Sequence, residues 1–381
     1  MNTQLDHPGL SRRLADLQPS PIREILAVID VPGMVSFAGG LPAPETFPAP
    51  QLAGMPHDWL QYGPTQGEAL LREQIAAELG ATGLRCGAEQ VLILSGSQQG
   101  IDLVAKLVID AGTAVAVESP TYLAALQVFR FFGARMLRFD SGAPGAAWTA
   151  ATRPALLYAN PTFQNPTGRC YTAAERDRLA ATCDEQQILL FEDDPYRDLA
   201  YDDCERRPVC ARLQRTSWVY QGSFSKTFAP GLRLGFLAAS PDLMMPLLHL
   251  KQAADLHSSR LSQWLVLEHL RSPQRAAALD ATVALYRRKR EVFALALQRH
   301  LGSIASWELP PGGLFFWLRL DRDRDTRAVL PEALRRGVAF MPGEPFFADG
   351  RASCGTLRLN FSHADAPAVD RGLSILADLL K

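Results

Sequence analysis

Short apolar runs, each ending in a polar turn and followed by a helical stretch, set the rhythm of the chain from residue 91 onward. Val91–Leu94, Val115–Glu118, Ala155–Ala159 and Ile188–Phe191 read as buried strands, continuous in apolar character rather than alternating. Trp218-Val219-Tyr220 is a fifth such run, and Leu232–Ala239 follows after the break at Pro230-Gly231. Ile101–Ile109 and an apolar stretch through Phe132 have helical length and spacing between them. Strand, turn and helix in repetition predict an α/β fold, whose ligands bind at the carboxyl ends of the strands. Further on, Leu256–Leu270 reads as a helix and Arg275–His300 as one long helix. Pro310-Pro311-Gly312-Gly313 then breaks the chain before a strand at Leu314–Leu320 and a helix near Val329–Arg336. Strands at Val338–Met341 and Thr356–Phe361 and a C-terminal helix complete a second, smaller mixed block. Residues 1–40 form an arm, with helical spacing at Leu10–Leu17 and a Ser20-Pro21 start before Ile22–Leu26.

Composition narrows this picture. At 381 residues the chain exceeds one ordinary core, so two domains are expected. A formal net charge of −1 gives no electrostatic ground for nucleic acid or an anionic membrane as partner. Six scattered cysteines include no C-x-x-C pair, and neither they nor the seven histidines show metal-ligand spacing, so no metal is expected. The N-terminus lacks an apolar signal-like segment and no run is long enough to span a bilayer, so a reduced, cytoplasmic protein is expected.

Candidate chemistry gathers at the strand ends. Lys226 stands in QGSFSKTFAPGLRLGF, flanked by Ser223 and Ser225, with Arg233 seven residues on. Its amine can form a Schiff base with an aldehyde cofactor such as pyridoxal phosphate, and the hydroxyls and the arginine can hold a phosphate. A solvated loop lysine is the ordinary alternative. Ser97 and Gln98 open a helix after a Gly/Ser turn, which suits a phosphate but also an ordinary cap. Tyr122 is placed either to stack on a bound ring or to pack in the core, and Asn165 offers a donor and an acceptor from a Pro-rich loop. Asp193 and Asp194 end a buried strand, where a carboxylate is costly unless paired; beside a pyridine nitrogen it would favour the protonated ring. Gly40 lies in a glycine-rich turn where backbone can approach a ligand closely. Locally, Arg23 reads as a solvated charge and Tyr62 as packing, while Arg358 is equally a surface residue or a carboxylate clamp. The cluster Arg287-Arg288-Lys289-Arg290 reads as a solvated helix face.

SGSQQG, ESPTY, NPTG, EDDPY, SFSKTFAPGLRLGF, PPGG and LRLNFS occur in that order over nearly the whole chain. Together they resemble the class I/II aminotransferases of pyridoxal phosphate (PLP) fold type I, and SFAGGLPAPETFP looks like the 2-aminoadipate/kynurenine aminotransferase branch. The core is also similar to the aminotransferase-like half of MocR-type regulators; the arm leads straight into that part, so no DNA-binding domain is expected. The resemblance implies a large domain with a mainly parallel seven-stranded sheet between helices, plus a smaller α+β domain. Residues 45–275 would form the large domain, 276–381 the small one, and 1–44 the arm with part of the small domain. It implies Lys226 as the Schiff-base lysine and proton shuttle, Asp193 as partner of the pyridine nitrogen with Asp194 as helper, and Tyr196 and Asn165 on the cofactor's phenolic oxygen. Tyr122 would stack on the ring, and Ser97, Gln98, Ser223, Ser225 and Arg233 would bind the phosphate. Tyr62 would reach the phosphate of a neighbouring subunit, implying a homodimer with composite sites. Arg358 with Asn165 would take the substrate α-carboxylate, and Gly40 and Arg23 match positions that contact substrate. Gly100 departs from the alanine usual there, which is expected to weaken the helix start slightly. The expected reaction moves an amino group between an L-amino acid (2-aminoadipate, aromatic or branched-chain) and a 2-oxo acid such as 2-oxoglutarate. A β-elimination lyase or decarboxylase on the same scaffold, or a PLP-binding sensor without turnover, are the alternatives.

Overall fold

A computed structural model of the chain describes residues 11, 13–14, 31, 33–49, 52–145, 148–149, 151–348 and 354–381. The arm helices expected before residue 30, and Arg23 with them, lie outside the described residues.

The strand β1 (Val35–Ser36) precedes the helix α1 (Ala69–Ala81), and the central sheet then takes β2 (Val91–Leu94), β3 (Ala114–Val117), β4 (Arg135–Arg138), β5 (Leu156–Ala159), β6 (Leu189–Asp193), β7 (Trp218–Ser223) and β8 (Gly235–Ala239). Its strand order is β2-β8-β7-β6-β5-β3-β4. All neighbours are parallel except β8, which runs antiparallel to both β2 and β7. The alternation of side chains along each strand divides the core cleanly. Val91, Ile93, Ala116, Leu157, Leu190 and Tyr220 pack into one apolar cluster, while Leu92, Leu94, Val115, Tyr158, Phe191 and Val219 pack into another on the opposite face. Both faces are covered, which is why these strands read as unbroken apolar runs.

The covering helices are α2 (Ser97–Val108), α3 (Leu123–Phe131), α4 (Ala173–Gln186), α5 (Pro241–Asp255) and α6 (Arg260–Arg271). The helix expected at Ile101–Ile109 thus begins four residues earlier, directly after Gly96, whose φ of 85° only glycine adopts cheaply. The helix expected at Leu256–Leu270 is corrected: Leu256 has a φ of 64°, so the chain turns there and a new helix starts at Arg260, capped by the Ser259 hydroxyl.

The long helix α7 (Arg275–Leu301) falls where the spacing placed it and leads into the second block. There β9 (Ala305–Ser306), β10 (Phe315–Leu320), β12 (Met341–Pro342) and β13 (Thr356–Asn360) form a four-stranded antiparallel sheet in the order β12-β13-β10-β9. A helix, α8 (Thr326–Arg335), and the C-terminal helix α9 (Ala366–Leu380) accompany it. The strand expected at Val338–Met341 divides in two: β11 (Val338–Ala339) pairs in parallel with β1, and β12 joins β13. The solvated face assigned to Arg287–Arg290 is also corrected in part. Arg290 is buried against Asp202 and the Pro310 carbonyl, Arg287 donates to the Tyr201 carbonyl, and Lys289 pairs with Glu45.

Candidate active site

Five loops at the carboxyl edge of the large sheet, after β2, β3, β5, β6 and β7, and two strands of the small sheet meet around a cavity of roughly 540 Å³. Ser97, Gln98, Tyr122, Asn165, Asp193, Tyr196, Ser223, Ser225, Lys226, Arg233, Gly40 and Arg358 all line it. Twelve positions proposed from sequence are therefore brought together. Tyr62 is not among them: it is 77% exposed and its ring meets His257 edge-on at 5.8 Å.

Lys226 sits three residues past the end of β7, in a loop whose stems are paired through Ser223 and Gly235. Its Nζ donates to the Gly40 carbonyl at 2.8 Å. Withdrawal from water, reinforced by the positive charges of Arg358 and Arg233, lowers its pKa to about 8. Gly40 has a steric reason to be glycine, since a Cβ there would stand 2.9 Å from the Phe315 ring and 3.8 Å from the lysine nitrogen.

Neighbouring carboxyls face different ways. Asp193, the last residue of β6, lines the cavity and accepts Tyr158 Oη at 2.7 Å on Oδ2 and Gln221 Nε2 at 2.9 Å on Oδ1. Asp194 turns to the other side, where Tyr220 donates to it at 3.0 Å and Arg197 lies at 3.6 Å. Burial raises the pKa of both, that of Asp194 to about 7. Asn160 Nδ2 donates to the Asp193 carbonyl, and its Oδ1 accepts the Asn165 N–H at 2.7 Å, fixing the loop beside the strand. Beneath that loop the buried carboxyl of Glu118 accepts from Asn160 N, Gln164 Nε2 and Tyr171 Oη at 2.9, 2.7 and 2.6 Å. Burial outweighs these bonds and pushes Glu118 up to about 7.

Arg358, in the middle of β13, is 1% exposed and points into the cavity. Its fork donates to Asn165 Oδ1 at 2.7 Å and to the Ala38 carbonyl at 2.6 Å, and its plane lies 4.1 Å from the Phe315 ring centroid. No carboxylate pairs with it among the described residues, and its Nε has no hydrogen-bond partner. Burial lowers its pKa to about 10, still far above neutrality. A buried, permanently charged fork with spare donors is suited to an incoming carboxylate.

The opposite end of the cavity suits a phosphate. The first N–H groups of α2 open onto it at Ser97 and Gln98, where the helix dipole is positive. Gly96 and Gly235 leave the space: a Cβ on Gly96 would lie 2.4 Å from Arg233 Nη2, and one on Gly235 would lie 3.0 Å from the Ser97 nitrogen. Ser223 and Ser225 complete this end, with Ser225 N donating to Ser223 Oγ at 3.2 Å. A phosphorylated pyridine aldehyde fits this donor set: Ser97, Gln98, Ser223, Ser225 and Arg233 would hold its phosphate, Asp193 would serve its ring nitrogen, and Lys226 would supply the amine for its aldehyde.

Sequence reasoning missed the residues behind these groups. Gln221 lies inside the quoted lysine stretch and Tyr158 inside the third strand, but their partner Asp193 is remote in sequence. It also underrated Gly100. A Cβ there would stand 1.9 Å from Gln221 Oε1 and 2.8 Å from Leu94 Cδ1, so the glycine is a packing requirement rather than a mild weakness.

Comparison with known proteins agrees along the length of the chain. The model for aminotransferase class I and II matches residues 33–376. The 2-aminoadipate transaminase of Thermus thermophilus is 38% identical across 96% of this chain and 94% of its own length. Aromatic-amino-acid aminotransferase 1 of Thermococcus litoralis is 31% identical across 97% of this chain and 94% of its own. The crystal structure of the alpha-aminoadipate aminotransferase of Thermus thermophilus, complexed with N-(5'-phosphopyridoxyl)-L-leucine, superposes with a TM-score of 0.86 at 36% identity, covering 97% of each chain. A family model that matches residues 33–376, and relatives that match along nearly the whole chain, make this chain a class I and II aminotransferase, a PLP-dependent enzyme of fold type I.

Proposed function

We propose that the enzyme moves the amino group of an L-amino acid bearing a 2-aminoadipate-like, aromatic or branched side chain to a 2-oxo acid, 2-oxoglutarate being the common acceptor. The observation that carries this reading is the unpaired guanidinium of Arg358 in the same cavity as Lys226, with Asn165 between them. Arg358 holds the α-carboxylate through its fork, and Asn165, already hydrogen-bonded to it, keeps the fork in plane. Bound PLP supplies an electron sink for the charge left at Cα when the α-proton departs. Lys226, with a pKa lowered to about 8, is a base near neutral pH once its amine is free, and it carries that proton between two carbon atoms. Asp193 holds the ring nitrogen's proton, its two oxygens steadied by Tyr158 and Gln221. Tyr196 and Asn165 orient the phenolic oxygen, and Tyr122 covers the ring. Ser97, Gln98, Ser223, Ser225 and Arg233 anchor the phosphate.

Residues 45–275 serve as the cofactor domain and 276–381, with the 1–44 arm, as the substrate-facing domain. Tyr62, exposed and outside its own cavity, supports a homodimer in which it reaches the partner's phosphate, and the enzyme is placed in the cytoplasm. Among the described residues no helix is long and apolar enough to cross a membrane. The visible spectrum of the purified protein tests the reaction. A long-wavelength band bleached by glutamate and restored by 2-oxoglutarate is expected, absent in Lys226→Ala. A band that no amino acid converts to the amine form of the cofactor would refute transamination and favour a lyase, a decarboxylase or a sensor.

A further inference from the structure

Behind the Ser95–Gln99 turn, outside the cavity lining, a single ammonium group ties three side chains together. Lys251 of α5 is fully buried, and its Nζ donates to Gln99 Oε1 at 2.8 Å, to both Asp255 oxygens at 2.7 and 2.8 Å, and to Ser258 Oγ at 2.9 Å. Its three donors are thereby used, which is what a buried ammonium requires. The same acceptors also grip the turn. Ser95 N donates to Gln99 Oε1 at 2.9 Å, and Ser95 Oγ donates to Asp255 Oδ2 at 2.6 Å while lying 3.1 Å from Ser258 Oγ. On the far side Ser258 continues the chain of contacts. Its carbonyl accepts Gln263 Nε2 at 2.9 Å, and Gln263 Oε1 accepts the Glu68 N–H at 2.8 Å.

We propose that Lys251 is a positioning residue for the cofactor phosphate: it locks the Ser95–Gln99 turn so that the Ser97 and Gln98 N–H groups stay aimed into the cavity. Lys251 does not line the cavity and touches no proposed ligand group. Its effect passes through Gln99 and Ser95 to the backbone next to Gly96, a glycine at φ 85° that would not by itself hold one orientation. Positioned donors bind an anion more tightly than mobile ones, because the ordering cost is met on folding rather than on binding. The proposal rests on the reading that places the phosphate at the start of α2.

Lys251→Met alone strands the Asp255 carboxylate, so the test uses Lys251→Met/Asp255→Asn together with Gln99→Leu, which cuts the link on the turn side and leaves the ion pair whole. Affinities of the apo proteins for PLP and for phosphate-free pyridoxal are measured by spectral titration, with apo thermal melts beside them. Both variants should lose about tenfold in the PLP-to-pyridoxal preference, with pyridoxal binding changed less than about twofold. An unchanged preference with only a lower apo melting temperature, where Arg233→Ala does lose it, would overturn the role of Lys251 alone. An unchanged preference in Arg233→Ala would overturn the phosphate placement, and the proposal with it.

Discussion

Gly100→Ala is the sharpest test of the packing around the buried Asp193 carboxyl. On helix propensity alone the change should stabilise the enzyme by up to about 1 kcal/mol, since Gly100 lies inside the first turns of α2. The structure reverses that sign. The new methyl would stand 1.9 Å from Gln221 Oε1 and 2.8 Å from Leu94 Cδ1, both in fully buried surroundings. Gln221 has to swing away, and its Nε2 then leaves Asp193 Oδ1, a bond of 2.9 Å. Losing a partner at a buried carboxyl costs about 1–3 kcal/mol. Net destabilisation of up to about 2 kcal/mol follows once the propensity gain is subtracted. In a Gln221→Ala background the closest clash is gone and only the Leu94 methyl has to yield, so Gly100→Ala should be close to neutral. Urea unfolding of the four apo proteins closes the cycle, with a coupling energy of about 1–3 kcal/mol expected. Additivity within about 0.5 kcal/mol would refute the steric argument. So would stabilisation by Gly100→Ala in the native background.

The lowered pKa of Lys226 makes its amine predominantly neutral above about pH 8, so the rate of PLP capture by the apoenzyme should rise through pH 8 and level off; a rise continuing toward pH 10 would contradict its recessed setting. Arg358→Lys removes the fork and the stacking on Phe315, and should raise the KM for every amino acid by about 10–100-fold with a smaller fall in kcat. Loss confined to kcat would mean that Arg358 does not hold the carboxylate. If Arg23 clamps a distal carboxylate, Arg23→Ala should impair 2-aminoadipate and glutamate far more than leucine or phenylalanine; equal losses would dismiss that role. A hydrogen bond from Cys204 and the nearby Arg176 hold the Cys170 thiol down, whereas burial pushes up Cys86 and Cys183, so Cys170 should be alkylated first near pH 6.5 in peptide mapping; indiscriminate labelling would contradict the pairing.

The site was legible wherever one strand end carries its own chemistry. Lys226, Asp193, Asn165 and Ser97 each follow a short apolar run, and the sheet delivers all of them to one edge. What sequence could not show is which buried polar group answers which. Arg358 looked equally like a surface residue, because only the fold reveals Phe315 and Asn165 against it. Helix α4 escaped notice because two charged residues interrupt the apolar spacing of its buried face: Glu175 and Arg176 are buried, Arg176 on the Pro161 carbonyl with Glu192 at 3.8 Å. The edge strand β4 also passed unseen, since Arg135 and Arg138 at its ends face solvent and break the apolar pattern. The boundary at Leu256 depends on a left-handed turn that a leucine gives no reason to expect.

The antiparallel strand β8 has a consequence for how the site comes into being. Because β7 and β8 are neighbours in both sequence and space, the lysine loop is a hairpin, closed by the Ser223–Gly235 pair. Ser223, Ser225, Lys226 and Arg233 therefore arrive as one local cassette, needing little loop-closure entropy and no crossover helix. Asp193, Asn165 and Arg358 instead come from distant stretches and converge only when the whole topology is complete. A paired β7–β8 hairpin alone carries Lys226 with Ser223, Ser225 and Arg233, while Ser97 and Gln98 come from the start of α2 and Arg358 from the second sheet. The lysine cassette thus depends on one hairpin, whereas the meeting of Arg358 with Asn165 depends on the large and the small sheet together.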